Sequence, residues 1–160
     1  MEYAFYDSPH GWMKIGSHMG KLCLVQIVEK ADGPHQSTVV TDLAYRQLME
    51  YFEGQRKSFD LPILISGTKF QQAVFGEMMK IPYGETCTYG EIAARIGYKK
   101  ACRAVGMACH MNPLWIVIPC HRVVGKTGMT GYAGGMDMKR RLLQLEGITV
   151  KELENNIRRT

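Results

Sequence analysis

The spacing of apolar residues changes its period once along this chain, near residue 66, and that change decides what the chain can fold into. Before it lie short β-prone runs, Tyr3 to Tyr6, Trp12 to Ile15 and Lys21 to Val28, separated by Asp7-Ser8-Pro9-His10-Gly11 and by Gly16 to Gly20. That is the pattern of a small antiparallel sheet. After a polar loop, Thr38 to Phe52 places Val39, Leu43, Leu48 and Phe52 near helical spacing, with Gly54 as a stop. Phe59 to Ile65 is a short extended run, and from Thr68 the pattern is helical for nearly all the remaining length. The expected organisation is a small α/β domain over 1–65, a mostly helical domain over 66–155 and a frayed tail over 156–160.

The 160 residues are 46% hydrophobic and 22% charged, ordinary for a folded globular protein and too apolar for disorder along most of the length. No apolar run approaches the roughly 20 residues of a spanning helix, and the N-terminus lacks the basic-then-apolar pattern of a signal peptide. The expected location is therefore the cytoplasm, or the nucleus of a eukaryote. Five cysteines, Cys23, Cys87, Cys102, Cys109 and Cys120, show no close Cys-x-x-Cys pairing and read as reduced thiols. Cys23, His10, His18 and His35 have no convincing ligand spacing, so no metal is expected. A net charge of +5 suits a polyanion-binding protein.

In the second part, Phe70, Val74, Phe75, Met78 and Met79 form one apolar stripe, ended by Pro82-Tyr83-Gly84. Thr88-Tyr89-Gly90-Glu91 has the form of a capping box. Two short helices, Thr88 to Ile96 and about Lys99 to His110, stand at helix-turn-helix spacing with the turn at Gly97-Tyr98. In the second of them Ala101, Val105, Ala108 and Cys109 face inward, and Cys102, Arg103 and Gly106 face outward. A helix that reads bases in the major groove carries several long polar side chains, and here Arg103 is the main one. Small residues suit close approach to a duplex instead; a tightly packed helix pair with a solvated arginine fits the same pattern.

Asn112-Pro113 breaks the chain, and Leu114 to Ile118 leads into Pro119-Cys120-His121-Arg122-Val123-Val124. A thiol delivered by a rigid extended segment, with proline before it and histidine after it, is placed like a nucleophile. Consecutive side chains in extended backbone point apart, so any relay from Cys120 to His121 needs a bridging water. A buried structural cysteine is the alternative. Gly131-Tyr132-Ala133-Gly134-Gly135 is a glycine-rich loop followed by a helix from Met136 to Glu146. A carboxylate in that last turn opposes the helix dipole by roughly 0.3 to 1 kcal/mol, which calls for a partner; His121 is one candidate, and plain exposure is the other.

Together, Pro119-Cys120-His121-Arg122-Val123, Asn112-Pro113, Ala101-Cys102-Arg103-Ala104-Val105-Gly106 and Thr88-Tyr89-Gly90-Glu91 resemble the O6-alkylguanine-DNA alkyltransferase family. The likeness is dense from about Thr68 to Gly147, and the family's variable, ribonuclease-H-like α/β domain would account for the first 65 residues. The resemblance implies DNA repair by single-turnover transfer of a methyl or other alkyl group from O6-alkylguanine in duplex DNA, with O4-alkylthymine as a second candidate substrate, to Cys120, without a cofactor. It implies a relay of Glu146, His121 and water, with Tyr89 protonating guanine N3. It assigns the base pocket to the carbonyls of Cys120 and Val123, to Tyr132 and to the Ala133 N–H, with Trp115 nearby. The DNA contacts it implies are Ala101, Cys102, Ala104 and Gly106 of the recognition helix, Arg103 filling the gap left by a flipped nucleotide, and Asn112 bracing the hinge. A monomer bound through the minor groove of double-stranded DNA is the expected complex. Departures are Cys102 and Trp115, where smaller residues are usual, and Ala133, where some members have serine. Two other classes share single features: a helix-turn-helix regulator, and a cysteine hydrolase using Cys120 and His121.

Overall fold

A computed structural model describes residues 1–126 and 131–149, and the tail expected to fray at 156–160 lies outside them. The chain forms two compact units. The first contains Met1–Ser66 together with Pro113–Val117; the second contains Gly67–Asn112 and the described residues from Ile118 onward.

In the first unit, β1 (Glu2–Tyr6), β2 (Trp12–His18) and β3 (Lys21–Val28) make an antiparallel sheet in the order β1-β2-β3. The turn between β2 and β3 is shorter than the expected Gly16 to Gly20. Gly16 and Ser17 sit in β2 at a bulge, and only Met19 (φ 51°) and Gly20 (φ 76°) turn the chain. Two successive positive φ values give the twist that joins two strands by a two-residue loop. Gly16 is required for a different reason: a Cβ there would stand 3.0 Å from the Tyr3 ring and from Leu24. Helix α1 (Val39–Phe52) begins at Thr38, whose hydroxyl accepts from the Thr41 N–H while the Thr41 side chain accepts from the Thr38 N–H. Ala44, Leu48 and Tyr51 of α1 are fully buried, as are Met13, Ile15, Leu22 and Val25 of the sheet.

Two extended segments add to β3: Leu22 bridges Ile63, and Val25 bridges Leu114, both in parallel. The second pairing is long-range in sequence. Val25 N–H donates to Pro113 O at 2.9 Å and Trp115 N–H to Val25 O at 3.1 Å, which assigns a stretch expected in the helical domain to the first unit.

The second unit is built on α2 (Lys69–Met78), β4 (Cys87–Thr88), α3 (Tyr89–Arg95), α4 (Cys102–His110), β5 (Val123–Val124) and α5 (Met136–Leu145). Thr68 and Gln71 cap α2 reciprocally. The box expected at Thr88 is only half formed. Thr88 Oγ1 accepts from Glu91 N–H at 3.1 Å, but the Glu91 carboxylate takes the Thr88 hydroxyl at 3.2 Å and the Cys87 thiol at 3.5 Å. Helix α3 ends on Gly97 (φ 87°), with Gly97 N–H on Ala94 O and Tyr98 N–H on Ala93 O, the paired bonds that satisfy the last carbonyls of a helix. Helix α4 starts three residues later than expected, because Tyr98 to Ala101 form a hydrogen-bonded turn instead. Val105, Ala108 and Cys109 face the core as expected, whereas Ala101 is only half-buried and Met79 is exposed. Helix α5 ends like α3, on Gly147 (φ 85°), which makes Glu146 its C-cap.

Candidate active site

The segment carrying Cys120 is tightly turned, not extended. Ile116 has φ 74°, and Val117 N–H reaches back to Trp115 O at 2.8 Å. That conformation is rare for a β-branched residue and costs of order 1–3 kcal/mol, offset where the surroundings over-determine it; Ile116 is buried. Pro119 (φ −81°, ψ 63°) makes a second such turn of the commoner hand, with Cys120 N–H on Ile118 O at 2.8 Å. Residues Cys120–Arg122 then form one 3-10 turn. Successive side chains on such a turn point about 120° apart, so Cys120 and His121 still face different ways, for another reason than the one expected.

Asn112 fixes the nucleophile. Its buried amide donates to Ile118 O at 2.9 Å and to Cys120 Sγ at 3.1 Å. Burial pushes the Cys120 thiol up to about 11, against the pull of the Asn112 amide and of the Lys139 charge, which both favour the thiolate.

Behind the thiol lies a buried charge cluster. His121 Nε2 meets Glu146 Oε2 at 2.6 Å, and Arg122 donates from Nε to Glu146 Oε1 at 2.7 Å and from Nη2 to Oε2 at 3.1 Å. A third guanidinium bond goes to Ile81 O at 2.8 Å, and Gly84 N–H donates to Glu146 Oε1 at 3.0 Å. Glu146 is therefore not exposed: at the C-cap of α5 its carboxylate accepts from a bidentate guanidinium and a backbone N–H, which offset the unfavourable helix end. Burial lowers the pKa of His121 more than Glu146 raises it, leaving the ring neutral at pH 7 and able to take a proton. The role of Arg122 was missed in the sequence, although an unexplained carboxylate at a helix end asks for a cation.

In front of the thiol is a cavity of about 320 Å³. Its lining brings together Cys120, Tyr89, Tyr132 and Ala133 with Cys102, Arg103 and Gly106 of α4, and adds Cys109, His110 and Gly131. Arg103 is exposed, and a Cβ on Gly106 would lie 3.9 Å from the Tyr89 ring, so the bare face of α4 abuts the tyrosine. Trp115 does not line the cavity; it belongs to the first unit through its bond to Val25. Ala101 stands at the N-cap of α4, and Ala104 is exposed on it. Val123 is buried and its carbonyl accepts from Lys139 Nζ at 2.6 Å. Lys139 was also missed, although a lysine at the inward spacing of Leu142, Leu143 and Glu146 is itself a signal. Among the described residues no group of three or more His, Cys, Asp or Glu side chains is placed to hold a metal ion.

Comparison with known proteins identifies the family. Residues 69–148 match the family model of the 6-O-methylguanine DNA methyltransferase DNA binding domain, and residues 1–65 match that of the ribonuclease-like domain of the same proteins. The chain belongs to the 6-O-methylguanine DNA methyltransferase family. Within this family it is 45% identical to a methylated-DNA–protein-cysteine methyltransferase of Methanosarcina acetivorans, over 92% of this chain and 99% of that one. A constitutive methylated-DNA–protein-cysteine methyltransferase of Bacillus subtilis is 49% identical over 74% of this chain and 73% of its own. Among solved structures, the Mycobacterium tuberculosis OGT in complex with DNA superimposes with a TM-score of 0.84 at 42% identity, covering 91% of this chain and 92% of that one.

Proposed function

We propose that this protein repairs DNA by moving an alkyl group from the O6 position of guanine onto Cys120, once per molecule. The observation that carries the reading is a thiol on the wall of a cavity whose lining also holds Tyr89 and Arg103, with a neutral His121 ring bonded to the Glu146 carboxylate nearby in the chain. The Cys120 proton passes through a water to His121, whose other nitrogen is tied to Glu146, and the carboxylate stabilises the imidazolium that forms. The thiolate then attacks the alkyl carbon: a C–S bond forms, the C–O6 bond breaks, and its electron pair moves into the purine. Tyr89 protonates guanine N3 so that a neutral base departs. The thioether is stable, which ends the reaction after one event.

The reacting carbon lies inside a duplex, so the nucleotide must leave the stack, and Arg103 fills the space from the minor groove. The small residues Ala101, Cys102, Ala104 and Gly106 let α4 approach closely; the protein acts as a monomer in the cytoplasm or nucleus. No helix among the described residues is long and apolar enough to cross a membrane. A hydrolase reading fits less well, because the group on Sγ is the Asn112 amide and not a base.

Incubation with duplex DNA containing O6-methylguanine, followed by peptide mapping, tests this. One methyl mass on Cys120 per protein is expected, and Cys120→Ala should lose transfer while keeping most DNA affinity, which comes largely from phosphate contacts. Repeated turnover, or methyl transfer at the normal rate in Cys120→Ala, would end the proposal.

A further inference from the structure

Lys139 is fully buried, in a chain with ample surface for a lysine, and the steps above make no use of it. Removing an ammonium from water costs several kcal/mol unless its surroundings repay it. Its surroundings are specific. Nζ donates to Val123 O at 2.6 Å and to Gly131 O at 3.2 Å. These carbonyls belong to the strand that follows the nucleophile and to the glycine-rich loop that lines the cavity. One side chain thus ties together two backbone segments that bound the reacting thiol.

The charges on Lys139 are equally selective. The groups that raise its proton affinity are the thiols of Cys120 on the 3-10 turn and Cys109 on α4, acting against burial, which lowers the amine to about 8. The neutral ring of His121 also feels its charge. On its own helix the nearby charges, Asp137 and Arg140, pair with each other on the surface at 3.2 Å. Among the described residues the other buried cation, Arg122, spends its guanidinium on Glu146 and Ile81. Among the described side chains, the charge that favours the Cys120 thiolate is that of Lys139.

We propose that Lys139 is a positioning residue for the alkyl transfer, resting on the function proposed above: its ammonium stabilises the Cys120 thiolate and, through Val123 and Gly131, fixes the walls of the pocket.

The test reads the thiol with methyl iodide, which needs neither DNA nor guanine, so its outcome is independent of whether guanine is the natural substrate. At pH 7, Lys139→Met should methylate at Cys120 about tenfold or more slowly, since each unit of thiol pKa is a tenfold loss of thiolate, and the gap should close as the pH rises. Lys139→Arg should restore the pH profile, because it keeps the charge. Unchanged rates in folded Lys139→Met, or an arginine variant that behaves like the methionine one, would overturn the proposal. Should Lys139→Met fail to fold, Lys139→Gln, which keeps an N–H donor for the Val123 and Gly131 carbonyls but removes the charge, is read in the same way, and a wild-type rate at pH 7 overturns the proposal. Failure of the wild-type protein to take a methyl from O6-methylguanine would remove the repair function and leave this electrostatic result standing.

Discussion

At the scale of single residues, the site works because charges are buried in pairs whose geometry leaves no ambiguity about which atom does what. Glu146 receives Arg122 in two parallel bonds and His121 in one, so the carboxylate is fixed before any substrate arrives. Glu146→Gln should slow transfer and raise the apparent thiol pKa, because an amide supports a developing imidazolium less well. The pH profile of inactivation by a small alkylating agent checks this, and an unchanged profile would reduce Glu146 to a helix cap. Arg122→Met strands that carboxylate and should cost roughly 3–5 kcal/mol of stability in a urea titration. Lysine at this position should recover only part, having no fork to match the two oxygens. Cys120, His121 and Glu146 were legible in the sequence because each is anomalous where it stands: a thiol after proline, an imidazole beside it, a carboxylate at the wrong helix end. Arg122 and Lys139 were not, because arginine and lysine usually sit in water and only their burial gives them work.

Among the elements, α4 joins the cavity to the proposed DNA surface. Its buried side carries Val105, Ala108 and Cys109, and Arg103 is exposed at its first turn. If Arg103 holds a flipped nucleotide outside the stack, Arg103→Ala should lower the repair rate strongly on duplex DNA and far less on free O6-benzylguanine, which needs no flipping. The comparison belongs at saturating protein, so that a lost phosphate contact does not imitate a flipping defect. Equal losses on both substrates would mean that Arg103 supports the pocket or the fold. Most elements were legible from period and punctuation: the three strands from their separation by turn residues, α1 from its apolar spacing and Gly54, α3 from Gly97. What escaped was set by tertiary pairing. The Gly16 to Gly20 turn shrank because Gly16 is packed against Tyr3 in the sheet, and Leu114 pairs with a strand almost ninety positions away, which no local pattern encodes.

For the molecule as a whole, the buried titratable groups set a pH window of stability. His121 has its pKa lowered by burial, so the unfolded chain binds a proton that the folded one refuses, and stability falls as acidification passes below about 6.5. The thiols act in the opposite sense. Cys87 and Cys120 are raised to about 11 and Cys109 to about 12, so above the unfolded value of about 8.5 the unfolded chain ionises first and stability falls again. Lys139, lowered to about 8, opposes that loss up to its unfolded value of about 10.4, but one amine is set against three thiols. Thermal unfolding across pH should therefore peak between these limits, and a midpoint that climbs steadily to pH 10 would show that the thiols are not buried as described. The return of the chain at Pro113–Val117 to the first unit has a consequence for how such proteins exchange parts. The family models part the sequence between residues 65 and 69, and a genetic crossover there looks like a clean swap of modules. It is not one, because the incoming second half brings its own partner for β3 and must match a sheet it did not evolve beside. Chimaeras joined near residue 66 should be viable when Pro113–Val117 travels with the sheet it pairs to, so that inheritance follows hydrogen bonds and not the linear map.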